Sequence, residues 1–295
     1  MSPEIELCYE TFGDRSNPTA LLVMGLATQM IAWPDEFCRD LAGRGFHVVR
    51  FDNRDIGKST HVAARPPALF QLLRRSKRAA SYTLADMADD AAGLLVELDL
   101  APSHVIGASM GGMIAQTLAA RRPELVLSLT SIMSSTGSRW SGQPALRLLP
   151  MLASRPAKSR QEAIERVSKV FSMIGSRGLP RDDDHIREIA GRSYDRGRGD
   201  AAGQARQLAA IIASGNRTAE LRRITAPTLV IHGTADPLIR PSGGRATVRA
   251  IPDARLMTIE GMGHDLPRGA WSRIIEGVVE NAARAEASEP AQAAA

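Results

Sequence analysis

The chain has 295 residues, 44% hydrophobic and 23% charged, which is enough to bury a sizeable core and excludes a disordered or low-complexity protein. Its 37 Lys and Arg against 32 Asp and Glu leave a net charge of +5, but the arginines are interspersed with acids, as in Arg181–Asp184 and Asp195–Asp200. The one dense basic run, Leu73–Arg78, is short enough to be a solvated face, so a nucleic-acid partner is not expected.

From the N-terminus, Met1–Glu10 carries acids where a signal peptide would have a basic start and an apolar run, and no apolar stretch is long enough to span a bilayer. Cys8 and Cys38 have no metal-ligand spacing and read as buried thiols of a reducing compartment. A cytoplasmic protein without a membrane partner is expected.

Glu4–Thr11 alternates polar and apolar residues, as an edge strand does. Thr19–Met24 and Phe46–Phe51 are short apolar runs ending at Gly25 and Asp52, the pattern of parallel strands buried on both faces. Between them Trp33–Ala42 has helical spacing, with Pro34 near its start. Thr60–Tyr82 gives no clear signal. Leu84–Leu98 is a helix whose Leu84, Met87, Ala91, Leu94, Leu95 and Leu98 share one face. His104–Ala108 is strand-like, Gly111–Ala120 helical, and Leu125–Met133 strand-like again.

The pattern changes from about Gly137 to Asn216, which is helical, Arg-rich and broken by Pro150, Pro156 and Pro180. Strand signals return at Thr228–His232 and Arg255–Ile259, followed by a helix at Ala270–Val279 and an Ala-rich tail. The expected fold is α/β: a mostly parallel central sheet with helices on both faces, interrupted once by a helical insertion. The core is residues 1–136 and 217–286, the helical cap 137–216, and the disordered tail 287–295.

Gly107-Ala-Ser109-Met-Gly111 gives the chemistry its first anchor. The motif lies between a strand and a helix, the setting of a nucleophile elbow, and the tight turn needs small residues on both sides of Ser109. A serine hydroxyl is a weak nucleophile without a base. Of six histidines, His47, His104 and His232 fall within or at the start of strands, and His61 and His185 have no pairing signal. His264 follows the last strand in Glu260-Gly-Met-Gly-His264-Asp-Leu-Pro267, where two glycines would let the loop approach the serine. Asp236, after the strand Thr228–His232, is the acid that would accept the imidazole Nδ1–H; Asp265, adjacent to His264, is poorly placed for that bond. Oxyanion donors are expected from the N–H groups of Met110 and Leu26. The loop Asp52–Ser59 is expected to brace the Leu26 loop through buried hydrogen bonds. Of the apolar residues in the insertion, Trp140 and Phe171 are candidates to line a substrate pocket, with Leu146, Leu148 and Met151 beside them.

With these residues in order, the chain resembles the α/β-hydrolase superfamily over nearly its whole length. Within it, Leu22-Val-Met-Gly25, Trp33-Pro-Asp-Glu-Phe37, the Asp52–Thr60 run and Gly261-Met-Gly-His264 resemble the methylesterases that act on aclacinomycin-type polyketides. The resemblance implies a carboxylic ester hydrolase with a helical cap, acting on a small-molecule ester with no metal or other cofactor. The alternatives are a cofactor-free perhydrolase of the haloperoxidase type, using the same three residues, and a non-catalytic ligand-binding protein of this fold. A homodimer is left open.

Overall fold

The computed structural model describes residues 5–74, 76–146, 148, 157–197 and 201–287. Among these, seven strands form one sheet in the order β1-β3-β2-β4-β5-β6-β7. They are β1 (Tyr9–Phe12), β2 (Thr19–Val23), β3 (His47–Phe51), β4 (Ser103–Ala108), β5 (Val126–Ile132), β6 (Thr228–Gly233) and β7 (Arg255–Ile259). Only β1 runs antiparallel, against β3.

The strands β2 to β6 are buried on both faces because residues alternate between two cores. On β2, Leu21 and Val23 pack into one core with helices α3 (Leu84–Glu97) and α4 (Met110–Arg121). Ala20 and Leu22 pack into the other with α1 (Asp35–Ala42) and α10 (Trp271–Glu286). Each fully buried leucine contributes on the order of 2 kcal/mol, so the continuous apolar runs leave the strands no solvent-facing alternative. Between β3 and α3 lie a short helix, α2 (Leu69–Leu73), and a 3-10 turn at Lys77–Ala79.

Among the described residues, three helices, α5 (Arg160–Ile174), α6 (Asp183–Arg196) and α7 (Ala201–Ser214), are inserted between β5 and β6, followed by the short α8 (Thr218–Leu221). Ser159 and Asp182 cap α5 and α6 with their side-chain oxygens, which satisfies N–H groups the helices cannot. Two buried ion pairs hold α6 and α7 to the loop after β3: Arg196 to Asp52 and Arg206 to Asp55.

Several boundaries differ from the sequence reading. The first strand is Tyr9–Phe12, shorter than Glu4–Thr11. Residues before it are held without a regular ladder, by Asp52 N–H to the Cys8 carbonyl and Thr60 N–H to the Glu6 carbonyl. Helix α10 runs seven residues beyond Val279, because Asn281, Ala282 and Ala285 remain buried and the Asn281 amide donates to the carbonyls of Leu129 and Pro227. Helix α9 (Ser242–Ala250) has no counterpart in the sequence reading. Its two glycines lower helix propensity but pack against Ile239 and His232. Of the expected tail 287–295, all but Ala287 lies outside the described residues, as does Met151.

Chain order fixes where the sheet can bind something. From β2 the chain crosses to β3 on one side and then to β4 on the other. The loops leaving the carboxyl ends of β2 and β4 therefore diverge and open a crevice, the place where open α/β sheets bind ligands.

Candidate active site

Ser109 stands in that crevice, between β4 and the first turn of α4. Its backbone is held at φ 56°, ψ −117°, a left-handed conformation that a non-glycine residue adopts only where its surroundings enforce it. The enforcement comes from β5 and the residues after it: the Ser109 N–H donates to the Ile132 carbonyl at 2.9 Å, and the Ser134 hydroxyl donates to the Ser109 carbonyl at 2.8 Å. A Cβ on Gly111 would lie 2.0 Å from the Val23 carbonyl oxygen, and one on Gly107 would lie 2.2 Å from that of Gly111. The helix can start beneath the serine only because both positions lack side chains.

His264 lies in the loop after β7. Its Nε2 is 2.9 Å from Ser109 Oγ and its Nδ1 is 2.8 Å from Asp236 Oδ2. Asp236, in the loop after β6, is 3% exposed. Its second oxygen, Oδ1, accepts the N–H groups of Leu238 and Ile239 at 2.8 and 2.9 Å. Both of its oxygens are thus engaged, and the carboxylate cannot rotate without losing two hydrogen bonds. His232, at the end of β6, approaches the same Oδ2 at 3.6 Å and bonds the Ile239 carbonyl at 2.7 Å. Burial pushes its imidazole below the usual histidine range.

Asp265 faces away from the His264 ring. Its carboxylate accepts the Ser176 hydroxyl at 2.6 Å and the Ser176 N–H at 3.0 Å. Burial raises this carboxyl above the usual aspartate range despite those donors. The glycines beside His264 also act differently from the sequence reading. A Cβ on Gly263 would strike Gly175 at 2.4 Å, and Gly261 abuts Gly178. The loop needs glycine there to lie against the segment after α5, not against the serine.

The loop after β2 reaches the serine. A Cβ on Gly25 would be 3.2 Å from Ser109 Cβ, which places Leu26 next to the elbow, opposite Met110 at the start of α4. As the first residue of that helix, Met110 has no intrahelical acceptor for its N–H. The Asp52–Ser59 loop supports this turn: Asn53 Nδ2 donates to the Met24 carbonyl at 2.9 Å and Asp52 Oδ1 accepts the Met30 N–H at 2.7 Å. Arg54 and Asp55 are engaged elsewhere, Arg54 with Asp90. Asp55 is buried, which favours its neutral form, but hydrogen bonds from Arg206, Tyr82 and the Val62 N–H outweigh burial and hold its carboxyl below the usual range.

The two pocket candidates are not brought together with these groups. Trp140 is 85% exposed, its ring under the Arg139 guanidinium. Phe171 is half-buried on α5. The apolar residues next to the site are instead Ala145, Leu148 and Ile174, with Val170, Met173 and Leu238 against them. Leu238 belongs to the Asp236 turn, and the Ile174 carbonyl accepts the His264 N–H at 2.7 Å. Helical periodicity could mark Ile174 as apolar but not which face of α5 would meet the histidine. Ser176, which also binds the Gly263 N–H through its hydroxyl, and Gln207, which accepts the Ala27 N–H beside Leu26, carry no motif that marks them in the sequence. Among the described residues no cluster of His, Cys, Asp and Glu is placed to hold a metal, and no helix is long and apolar enough to cross a membrane.

A family model described as the alpha/beta hydrolase fold matches residues 18–267. The rhodomycin D methylesterase DauP of Streptomyces sp. (strain C5) is 31% identical over 294 residues, covering 90% of each chain. BpoC of Mycobacterium tuberculosis, provisionally named a non-heme bromoperoxidase, is 26% identical over 265 residues, covering 88% of this chain and 91% of its own. A hydrolase of Pseudomonas aeruginosa PA01 of known crystal structure superposes with a TM-score of 0.70 at 23% identity, covering 96% of both chains.

Proposed function

The chain belongs to the α/β-hydrolase family and is a carboxylesterase-type hydrolase, and from that premise we propose that it cleaves esters through an acyl-enzyme formed on Ser109. The observation that carries the proposal is the unbroken hydrogen-bonded line Ser109 Oγ, His264 Nε2, His264 Nδ1, Asp236 Oδ2 at 2.9 and 2.8 Å. A carboxylate can only accept, so Asp236 takes the Nδ1–H and leaves Nε2 free to receive the serine proton. Ser109 then attacks the ester carbonyl. The N–H groups of Leu26 and Met110 carry the oxyanion, aided by the positive end of α4. His264 returns the proton to the departing alcohol, and water, deprotonated by the same imidazole, releases the acid. The chain's own side chains and backbone perform each of these steps.

In this reading residues 1–136 and 217–286 form the catalytic core and 137–216 a cap that limits the acyl group. The substrates are small to medium esters, including methyl esters of bulky acids, in keeping with the methylesterase relative. The test is a panel of p-nitrophenyl esters of increasing length together with methyl esters of polycyclic carboxylic acids, run on the wild type and Ser109→Ala. The variant should lose roughly 10⁶-fold in kcat, as other serine triads do. Retention of more than a few per cent would remove Ser109 as nucleophile.

The similarity to BpoC favours one second reading, perhydrolysis by the same three residues. Peracid formation from acetate and hydrogen peroxide at a rate above ester hydrolysis would decide for it. A non-catalytic binding protein would fail to react with a fluorophosphonate at Ser109.

A further inference from the structure

Between them, the three inserted helices and the turn after α5 touch both loops that the proposed chemistry depends on. On the oxyanion side the contact is Gln207 of α7, whose side chain is fully buried. Its Oε1 accepts the Ala27 N–H at 2.9 Å and its Nε2 donates to the Arg54 carbonyl at 2.8 Å. Ala27 follows Leu26 directly and has φ 58°, a conformation that an alanine keeps only where neighbours hold it. Helix α6 adds two bonds two residues further on: Gln29 Nε2 donates to the Ser193 carbonyl and Gln29 Oε1 accepts from Arg196.

On the base side the contact is the turn after α5. The Ile174 carbonyl accepts the His264 N–H at 2.7 Å. The Ser176 hydroxyl donates to Asp265 at 2.6 Å and accepts the Gly263 N–H at 2.9 Å. The N–H groups of Arg177 and Gly178 both reach the Gly261 carbonyl at 3.1 Å. His264 is therefore held by its ring through Asp236 and by its backbone through this turn. The loop's other bonds run to the turn after β6, from the Ala235 N–H to the Met262 carbonyl at 3.0 Å and from the Gly261 N–H to Thr234 Oγ1 at 2.9 Å, so the turn after α5 is the second of two supports that fix the imidazole relative to Ser109.

We propose that the inserted helices scaffold the catalytic groups as well as covering them: Gln207 is a positioning residue for the Leu26 oxyanion donor, and Ser176, with Asp265, is a positioning residue for His264. The inference rests on the proposed hydrolase reading and goes beyond it, because a cap that only selected substrates would need no bonds to either loop. A displacement of about 1 Å in a reacting group costs on the order of 10²-fold in rate. Loosening either loop should therefore fall on kcat.

The discriminating substrate is the smallest ester, p-nitrophenyl acetate, whose acyl group is too short to test cap selectivity. Gln207→Ala and Ser176→Ala should each lower kcat on it about tenfold or more, with KM within about twofold and a cooperative melt. Gln207→Glu, protonated in this fully buried site, keeps the acceptor for the Ala27 N–H and an O–H donor for the Arg54 carbonyl, and should recover most of the loss. Ser176→Ala and Asp265→Ala break one linkage, so the double variant should lose no more than the worse single one. Ser176→Ala removes a single oxygen, so the base-side half is readable even if Gln207→Ala fails to fold. Wild-type kcat on the acetate ester in the folded variants, with only the ranking of bulky esters altered, would overturn the proposal. Activity surviving in Ser109→Ala would instead overturn the hydrolase reading beneath it.

Discussion

Asp236→Asn is the substitution whose outcome the geometry specifies most fully. Asp236 Oδ1 is pinned by two backbone N–H groups, at 2.8 and 2.9 Å, while Oδ2 faces His264 Nδ1. An asparagine must keep its carbonyl oxygen toward the two N–H donors, because turning the amide round loses both bonds and sets donor against donor. At about 1–3 kcal/mol for each unsatisfied buried group, that reversal costs roughly 2–6 kcal/mol. The NH₂ group is then directed at Nδ1, which has to become an acceptor. The ring proton moves to Nε2 and faces the serine hydroxyl, so in the proposed mechanism the base is occupied before substrate arrives. The orientation penalty brackets the ~5 kcal/mol equivalent to the ~10⁴-fold loss seen when a triad aspartate is amidated. The assay is kcat on p-nitrophenyl acetate with a thermal melt alongside, and imidazole ¹⁵N shifts report the tautomer. Asp236→Ala, which imposes no tautomer, should be no worse than the asparagine. A folded Asp236→Asn enzyme retaining more than about 1% of kcat would refute the reasoning.

Other expectations concern the fold. Burial holds the His104 imidazole down to about 4, so between pH 6.5 and 4 the unfolded chain binds a proton that the folded one does not. Stability should drop by up to about 3 kcal/mol as the pH is lowered from 6.5 to 4, and the Tm difference between pH 7 and 4.5 should shrink in His104→Gln; an unchanged difference would count against the assignment. Gly111→Ala places a Cβ 2.0 Å from the Val23 carbonyl oxygen and 2.7 Å from that of Met24, with no flexible side chain to yield. Soluble yield and the melt should collapse, and a well-folded active variant would show that the elbow can open. Arg206→Met leaves the Asp55 carboxylate buried without its cation. Chemical denaturation should show a loss of about 3–5 kcal/mol, and a loss under 1 kcal/mol would mean that Tyr82 and the Val62 N–H suffice.

Much of this architecture was legible because apolar runs and glycine positions are local signals. Leu21, Leu22 and Val23 declare a strand buried on both faces, and Gly107 and Gly111 declare a turn too tight for side chains. The order of Ser109, Asp236 and His264 along the chain, each after a strand, let the three be chosen together. What remained hidden depended on contacts between distant segments. Gln207 looks like any polar residue in an alanine-rich helix until α7 packs on the Ala27 turn. Ser176 meets Asp265 across 89 positions. Gly261 and Gly263 signal a close backbone approach, but their neighbours are Gly178 and Gly175 and not the serine, since sequence shows that a backbone needs close approach and not what it approaches. Trp140 has the apolar bulk of a pocket residue, yet it lies in the open.

The ion pairs that hold α6 and α7 bear on attempts to redesign selectivity by exchanging this insertion for that of a relative. Asp52 and Asp55 belong to the core, but their cations, Arg196 and Arg206, arrive with the helices. A chimaera carrying a foreign insertion without matching arginines would inherit two buried carboxylates deprived of their cations and a slack turn at Ala27. The transferable unit is therefore not a contiguous stretch of chain. It comprises the helices, the Asp52–Asp55 corner and Asp265, and grafts cut at the borders of the insertion alone should yield proteins that are unstable and slow on every ester.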